Sequence, residues 1–417
     1  MDLEKSVETF FKKTSRLEKP LLLGFSGGSD SLALAHCLQH LQIPFHVAHF
    51  DHGWREKSAE ECEHLRKWAL SYHISFHTAC SQIREKTEVA ARDERYQFFE
   101  ELFQSREFEA LVLAHHKGDQ VETILKRILE GAHLTNLKGM QSIIYRGEMP
   151  VWRPMLEIPK ESILKYLQNH QLIPIEDETN FDPKYLRTRM RLSILPKLAE
   201  EFGKEVTGPL LSLGKQSQVL QDYLDCQTKQ YVPVIGPFGK MWDFSMSHPI
   251  EIEHVLSQFF TLSRKVLDQI TGALQKGAAN HRVHFGGNIL MIDRKKLFWI
   301  EKMPPFFVKK IPLQSGVIRD EKWEWEIRIE KESMTQSQNW LSWWKGKISL
   351  TLPEGDYELA PPSPFFRKRW NTSKVPAFMR ESLPMILNEG KPIAEFLAGK
   401  RDGKHPLSVT IAINSRR

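Results

Sequence analysis

The sequence predicts an α/β protein, and three patterns along its 417 residues support this fold class. Short apolar runs alternate with longer amphipathic stretches in the first half, which predicts a doubly wound parallel sheet. Amphipathic stretches between residues 250 and 303 predict a small, mainly helical domain. Period-two alternation at 323–329 and 348–352 predicts antiparallel strands in a C-terminal α+β domain.

The first half supplies the predicted sheet and its helices. An N-terminal helix over residues 1–19 precedes four predicted strands, at 21–25, 43–50, 74–79 and 110–114. Each strand is followed by a predicted helix, at 31–41, 57–72, 88–103 and 120–129. Sheets of this kind bind ligands at the carboxyl ends of their strands, so we expect functional residues there.

Length and composition limit the protein class. The chain is too long for one hydrophobic core, which indicates two or three domains, and we place three, at 1–204, 205–310 and 311–417. No apolar run approaches the ~20 residues of a membrane span, and the N-terminus lacks a secretory signal, so we expect a cytoplasmic protein. The net charge of +6 permits a nucleic acid partner without requiring one. The four cysteines include no Cys-x-x-Cys pair, which argues against a zinc ribbon or an iron–sulfur site built on paired cysteines.

The stretch Ser-Gly-Gly-Ser-Asp-Ser at residues 26–31 separates the first predicted strand from its helix. Gly27 and Gly28 permit a tight turn and close approach of a ligand to the backbone. The free N–H groups of the new helix then face that ligand, so we predict an anion site. The stretch is neither a Walker motif nor a Gly-x-Gly-x-x-Gly fingerprint. The alternative is an ordinary loop in which Ser29 or Asp30 only caps the helix.

Polar and aromatic residues follow the second and third predicted strands. The second strand runs into His-Phe-Asp-His-Gly-Trp-Arg at 49–55, where His49 and His52 have the spacing of a metal-binding pair but no third ligand nearby. Arg92, Arg95 and Tyr96 share one stripe of the next helix. A solvated charged face is the alternative interpretation of that stripe.

The fourth predicted strand leads into His-His-Lys-Gly-Asp-Gln-Val-Glu-Thr at 115–123. The apolar stripe of this helix leaves Asp119 and Glu122 on the opposite face. Asp119 begins the helix, so its carboxylate either caps the helix or joins Asp30 in holding a metal ion. We favour the metal-binding role.

These four motifs, in this order, resemble the tRNA(Ile)-lysidine synthetase family of the PP-loop ATP pyrophosphatase superfamily, whose ATP-binding domain is Rossmann-like. Further matches lie at 131–140, 152–156, 177–180 and 185–191, and residues 375–385 and 393–399 resemble the terminal domain of the long family members. Residues 205–310 match only by position. The chain departs from the family pattern at Gly118, where a second Asp is usual, and at Asn136 and Thr188.

The resemblance implies roles for individual residues. ATP is expected to contact the loop and the end of the second strand, at Ser26, Gly27, Gly28, Ser29, Asp30, Ser31, His49 and Phe50. Catalytic roles are implied for Asp30, Asp119, Arg92, Arg95 and Arg187, and a Mg²⁺ site for Asp30 and Asp119. Contacts with tRNA are implied for Arg189 and Arg191.

The resemblance also implies a reaction. A ligase of this family modifies the wobble cytidine in the CAU anticodon of tRNA(Ile): ATP adenylates the base, pyrophosphate leaves, and free L-lysine displaces AMP to give lysidine. The tRNA then reads AUA instead of AUG and carries Ile instead of Met. A homodimer is compatible with the sequence. The alternatives are a tRNA thiolase of the same superfamily, disfavoured by the lack of cysteine pairs, and a tRNA-binding protein without catalysis.

A basic, aromatic stretch lies near the C-terminus. Arg367, Lys368 and Arg369 occur in a stretch without acids from 361 to 374, together with Phe365, Phe366 and Trp370. Cations for phosphates and rings for bases suit RNA, so we predict that the three basic residues bind tRNA. A solvated basic loop beside core aromatics is the alternative.

Overall fold

The computed structural model describes residues 2–14, 17–53, 58–81, 87–105, 108–175, 184, 186–319, 322–331, 338–399 and 406–415, without the side chains of 59 and 88. Trp54, Arg55 and the motif matches at 177–180 and Tyr185 lie outside these residues. The chain forms two compact units, Met1–Gln221 and Asp222–Arg417. This division is coarser than the predicted domains 1–204, 205–310 and 311–417, whose boundaries and roles stay predictions.

The first unit contains the predicted parallel sheet. Its helices are α1 Leu3–Thr14, α2 Ser29–His40, α3 Ser58–Ser71, α4 Glu88–Ser105, α5 Lys117–Leu129, α6 Lys160–Asn169, α7 Leu186–Arg189, α8 Leu195–Phe202 and α9 Thr207–Thr228, which runs into the second unit. Its strands are β1 Leu21–Gly24, β2 Phe45–Asp51, β3 Phe76–Cys80, β4 Leu111–Val112, β5 Ile143–Arg146 and β6 Met149–Trp152. The order is β3-β2-β1-β4-β6-β5, and every neighbouring pair is parallel except β5 and β6.

Alternate residues of β1 pack on opposite faces of the sheet, which confirms the doubly wound prediction. Leu21 and Leu23 belong to a buried cluster with side chains of α1, α2, α3 and α6. Leu22 belongs to a second cluster, with Tyr96 and Phe99 of α4. Both faces of β1 are thus apolar, which explains why its sequence is an unbroken apolar run.

The β5–β6 hairpin was not predicted from the sequence. Ile143 and Tyr145 of β5 are exposed at the edge of the sheet, so this strand shows no buried stripe.

Central strand β1 lies between β2 and β4, at the point where the strand order changes direction. A doubly wound sheet binds its ligand at such a point, beyond the carboxyl ends of the strands.

The second unit combines helices with antiparallel sheets. Its helices are α10 Pro249–Phe259, α11 Arg264–Gln275, α12 Trp340–Trp344 and α13 Arg367–Thr372. Its strands are β7 Val234–Gly236, β8 Gly239–Asp243, β9 His281–Phe285, β10 Asn288–Asp293, β11 Lys296–Ile300, β12 Ile311–Pro312, β13 Gly316–Arg319, β14 Trp323–Lys331, β15 Lys347–Leu352, β16 Glu358–Ala360, β17 Met385–Asn388, β18 Lys391–Glu395 and β19 Leu407–Ser415. They form three sheets, β7-β8-β11-β10-β9, β12-β16-β17-β18 and β13-β14-β19-β15.

The C-terminal strands confirm the period-two prediction. In β14, Trp323, Trp325 and Ile327 are buried while the residues between them are more exposed. The middle region has the predicted helices, and a five-stranded antiparallel sheet in addition. Phe298 of that sheet contacts Trp344, with ring centroids 5.1 Å apart, so the sheet shares a core with the C-terminal strands.

Among the described helices of both units, none is long and apolar enough to cross a membrane.

Candidate active site

The loop at 26–31 is held in a preformed turn. Gly27 has φ +78°, and a Cβ at this position would lie 2.5 Å from Leu65 Cδ2. The Ser31 hydroxyl accepts from the Ser26 N–H at 3.2 Å and donates to the Gly28 carbonyl at 3.2 Å. Helix α2 has Gly28 at its N-cap without a side-chain cap, which disfavours the alternative that Ser29 or Asp30 only caps the helix. Its first N–H groups are thus oriented as an anion site requires.

A cavity of about 360 Å³ lies beside this loop. Seven of the predicted site residues line it: Ser26, Asp30, Ser31, His49, Phe50, Arg95 and Asp119. They come from the segments that follow β1, from the end of β2, and from α4 and α5. The structure therefore brings four separate sequence motifs together at the switch point of the sheet.

Asp30 and Asp119 approach each other around His116. The Nε2 atom of His116 lies 3.8 Å from Asp30 Oδ2 and 3.6 Å from Asp119 Oδ2. His116 Nδ1 accepts from the Gly118 N–H at 2.9 Å, so in the neutral ring Nε2 carries the hydrogen. This buried Nε2 has no hydrogen-bond partner among the described residues. The ring is thus oriented toward both carboxylates.

The departure at Gly118 lies against the His116 ring. A Cβ on residue 118 would lie 2.7 Å from His116 Cε1, so a larger residue at this position would require the ring to shift. Asn136 does not have a positive φ, so that position does not require the Gly common in the family. Thr188, the third departure, is buried in α7. Of the three departures, Gly118 is the one that directly precedes Asp119 in the chain.

Asp119 has both a capping contact and an ion pair. His116 is the N-cap of α5, and its N–H donates to Asp119 Oδ2 at 2.9 Å in a capping box. Arg191 donates to Asp119 Oδ1 at 3.2 Å and to Glu122 Oε1 at 2.7 Å. Burial alone would raise the pKa of Asp119, but His116, His115 and Arg191 together lower it. The carboxylate is therefore charged at neutral pH, whereas burial raises the pKa of Glu122 against the opposing effect of Arg191.

The two carboxylates of the site fit Mg²⁺ better than a metal ion that is coordinated by protein side chains alone. Within the described ranges, no group of three or more His, Cys, Asp or Glu side chains has metal-binding geometry. Mg²⁺ usually takes one or two carboxylates and completes its coordination with phosphate oxygens and water, so Asp30 and Asp119 suffice. His49 and His52 belong to no such group of three among these residues, so the metal-pair interpretation gains no third ligand.

A buried arginine connects three motifs, and sequence reasoning assigned it no role. Arg153 is only 4% exposed and donates to His115 Nδ1 at 3.3 Å and to the Gln141 carbonyl at 2.8 Å. It also bonds Tyr96, and burial lowers its pKa against that contact. Burial, as the main cause, lowers the pKa of His115 to about 4, so this ring is neutral at pH 7. Arg92 is exposed, with its guanidinium 5.5 Å from the Tyr96 ring centroid.

The remaining predicted arginines of the first unit lie on α7 and the π-helical turn after it. Arg187 and Arg189 are exposed on α7, and Arg189 donates to the Lys184 carbonyl at 2.9 Å. Arg191 follows in the turn Met190–Ile194. Its contacts with Asp119 and Glu122 place this predicted tRNA-binding residue beside the predicted metal site. Turns of this kind often occur at functional sites.

The three C-terminal cations have different surroundings, all within the second unit. Arg367 and Lys368 are exposed on α13. Arg369 lies 3.4 Å from the buried carboxylate of Glu395 and donates to the Gly399 carbonyl at 2.8 Å. Of the aromatic side chains, Phe365 is 68% exposed, whereas Phe366 and Trp370 are core residues. The predicted mixture of exposed cations and rings therefore reduces to Arg367, Lys368 and Phe365.

Comparison with known proteins identifies relatives over nearly the whole chain. A family model described as a PP-loop domain matches residues 1–198. A tRNA(Ile)-lysidine synthase of Protochlamydia amoebophila (strain UWE25) is 32% identical over 430 residues, which cover 96% of this chain and 93% of the relative. Another, from Chlamydia pneumoniae, is 40% identical and covers 55% of this chain and 72% of its own length.

Solved structures resemble the chain only weakly. The U34-tRNA thiolase NcsA from Methanococcus maripaludis aligns with a TM-score of 0.42 and 17% identity, over 52% of this chain and 78% of the thiolase. A similarity at this level supports no functional argument.

Proposed function

The chain belongs to the tRNA(Ile)-lysidine synthase family, and from that premise we propose how its residues form lysidine on tRNA(Ile). It is an ATP-dependent ligase, as the motifs of residues 26–31 and 115–123 predicted. The observation that carries the mechanism is the convergence of the loop, Asp30 and Asp119 on one cavity of about 360 Å³. The site combines an anion-binding loop with two carboxylates.

Adenylation is the first step of the proposed mechanism. The oxygen on carbon 2 of the wobble cytidine attacks the α-phosphorus of ATP, and pyrophosphate leaves with the electron pair of the broken bond. Ser26, the backbone of Gly27 and Gly28, Ser29 and Ser31 bind the leaving pyrophosphate at the start of α2. His49 and Phe50 line the same cavity and contact the nucleotide.

Mg²⁺ would be held by Asp30 and Asp119, and it would supply positive charge to the phosphates. Arg95 lines the cavity and binds the adenylate, while Arg92 and Arg187 contact the anticodon from the exposed surfaces of α4 and α7. The wobble base leaves its stack to reach the cavity. Free L-lysine then attacks carbon 2, and AMP is released. A homodimer and a cytoplasmic location stay predictions.

The test is an assay for the product. The full chain, incubated with ATP, L-lysine and a tRNA(Ile) that carries a CAU anticodon, is expected to yield lysidine on nuclease digestion and mass spectrometry. Omission of lysine should leave the cytidine unmodified. A thiolated base would instead favour the thiolase, and an unmodified tRNA bound tightly by the chain would favour a binding protein.

Arg367 and Lys368 are expected to bind tRNA phosphates. Each such contact releases about 0.7–0.9 counterion, so replacing both residues by Ala should flatten the slope of log K against log [salt] by about 1.5 units. Filter binding at several salt concentrations measures this slope. Turnover at saturating tRNA should change little, since the cavity residues belong to the first unit. An unchanged slope would mean that both side chains are only solvated.

Arg369→Ala provides a contrasting variant within the same helix. Arg369 pairs with Glu395, which is 6% exposed and also accepts from Trp370 Nε1 at 2.8 Å. Removing Arg369 leaves this buried carboxylate with its donors from Trp370, Leu397 and Ala398 but without a cation, which costs about 1–3 kcal/mol. We therefore expect a lower melting temperature in a calorimetric scan. A salt slope reduced as much as in the double variant, without loss of stability, would instead assign Arg369 to tRNA binding.

A further inference from the structure

Lys160 places a cation where the helix dipole favours acids. It is the first residue of α6. Its ammonium donates to Ser29 Oγ at 2.7 Å and to Asp30 Oδ1 at 2.6 Å. Both acceptors belong to the loop that binds pyrophosphate in the proposed mechanism. No motif of the sequence analysis included Lys160, because its neighbours in the chain show no pattern that sets it apart from a surface lysine.

Two hydrogen bonds connect α6 and the turn before it to the other two helices of the site. The Lys117 N–H donates to the Ile158 carbonyl at 3.0 Å, which connects the turn before α6 to the start of α5. Tyr166 of α6 lies against His36 of α2, with 2.9 Å between the hydroxyl and Nδ1. The start of α6 is therefore positioned by the same elements that carry Asp30 and Asp119.

We infer that Lys160 is a catalytic residue of the adenylation step, which binds the pyrophosphate group as it leaves ATP. This inference rests on the proposed function. An ammonium has three hydrogens, and Ser29 and Asp30 accept two of them. The side chain is 32% exposed, so part of it is accessible to solvent beside the loop. A triphosphate in the loop brings oxygens that compete for this cation.

The adenylation step is favoured by a cation at this position, in addition to Mg²⁺. When the cytidine oxygen donates its electron pair to the α-phosphorus, the bond from this phosphorus to the bridging oxygen breaks. The electron pair of that bond goes to pyrophosphate, whose negative charge increases toward the transition state. An ammonium beside the leaving group stabilises this charge more strongly in the transition state than in bound ATP.

A structural role for Lys160 would consist only of holding Asp30 through the ion pair. The two roles predict that different substitutions of Lys160 retain pyrophosphate binding. Lys160→Gln keeps a donor toward Asp30 and removes the charge, whereas Lys160→Arg keeps the charge in a different shape. Lys160→Met removes both, and Lys165→Met is the matched control because Lys165 is exposed on the same helix.

The experiment measures binding and turnover of the full-length variants. Binding of inorganic pyrophosphate in Mg²⁺ buffer is followed by calorimetry, and single-turnover AMP release is followed with CAU-anticodon tRNA. Lys160→Met and Lys160→Gln are expected to weaken pyrophosphate binding about tenfold and to slow AMP release about 10²-fold. Lys160→Arg should recover part of the binding, and the KM for lysine should stay unchanged.

The outcomes separate this inference from the proposed function. Pyrophosphate binding by Lys160→Gln equal to that of Lys165→Met would overturn the inference, even where lysidine formation is normal. If Lys160→Met does not fold, the Gln and Arg variants decide in the same way. Pyrophosphate binding that depends on Lys160, in a chain that forms no lysidine, would support the inference and reject the proposed function.

Discussion

Asp30→Asn is expected to abolish lysine-dependent AMP release and to leave tRNA binding intact. In the unmodified chain Lys160 donates to Asp30 Oδ1 at 2.6 Å, and an Asn side chain still offers an oxygen acceptor to this ammonium. The substitution removes the negative charge that we propose holds Mg²⁺. Losing such electrostatic stabilisation costs about 10³-fold in turnover. The measurement is AMP formation from labelled ATP, with and without lysine, beside filter binding of tRNA.

A suitable control for this variant is Glu161→Gln. Glu161 is exposed in the first turn of α6 and follows Lys160 directly, so the control loses the same charge near the site without touching the loop. We expect it to behave as the unmodified chain. AMP release from Asp30→Asn at the rate of Glu161→Gln would show that the carboxylate of Asp30 is not needed for the chemistry.

The sequence predicts the loop and the carboxylates because their patterns are local. Ser26 to Ser31 lie between an apolar strand and an apolar helix. Glycine adopts a positive φ such as the +78° of Gly27 without strain, so the residue type itself predicts a tight turn here. The order of the βα units likewise predicts that Asp30 and Asp119 lie at the same edge of the sheet. The structure places both carboxylates within 4 Å of His116.

Contacts between distant segments are not readable in the same way. Arg153 and His115 are 38 positions apart, and Lys160 and Asp30 are 130 apart, so no periodicity relates them. The charge of a residue also does not show which partner the residue binds in the fold. Arg191 carries the charge of a tRNA contact, yet its guanidinium bonds Glu122, and only the fold reveals that pairing.

The three cations on α13 also differ in ways that the sequence does not show. Arg367, Lys368 and Arg369 are equivalent as a run of charges, but α13 turns each residue about 100° from the last. One of the three is therefore directed toward Glu395 while its neighbours remain exposed. A charge run in a short helix predicts a basic surface, and the helix decides which of its members form that surface.

Asp119→Asn is expected to lower turnover by about 10²-fold, with a smaller loss of stability from the ion pair with Arg191. An Asn side chain still accepts the His116 N–H, so the capping box loses less than about 1 kcal/mol. The charge near Asp30 is lost, however, and Gly118 supplies no second carboxylate to replace it. AMP release and its Mg²⁺ dependence measure the first effect, and a thermal melt measures the second.

Glu130→Gln is the control for this variant, since Glu130 is an exposed acid at the opposite end of α5. The carboxylate of Asp119 has a lowered pKa, so the substitution removes a full charge at any pH above its ordinary value near 4. If Asp119 only caps the helix, Asn should retain normal turnover and an unchanged Mg²⁺ requirement. A large loss of turnover with only a small fall in melting temperature would assign the carboxylate to the reaction, and a higher Mg²⁺ requirement would identify it as a ligand of the ion.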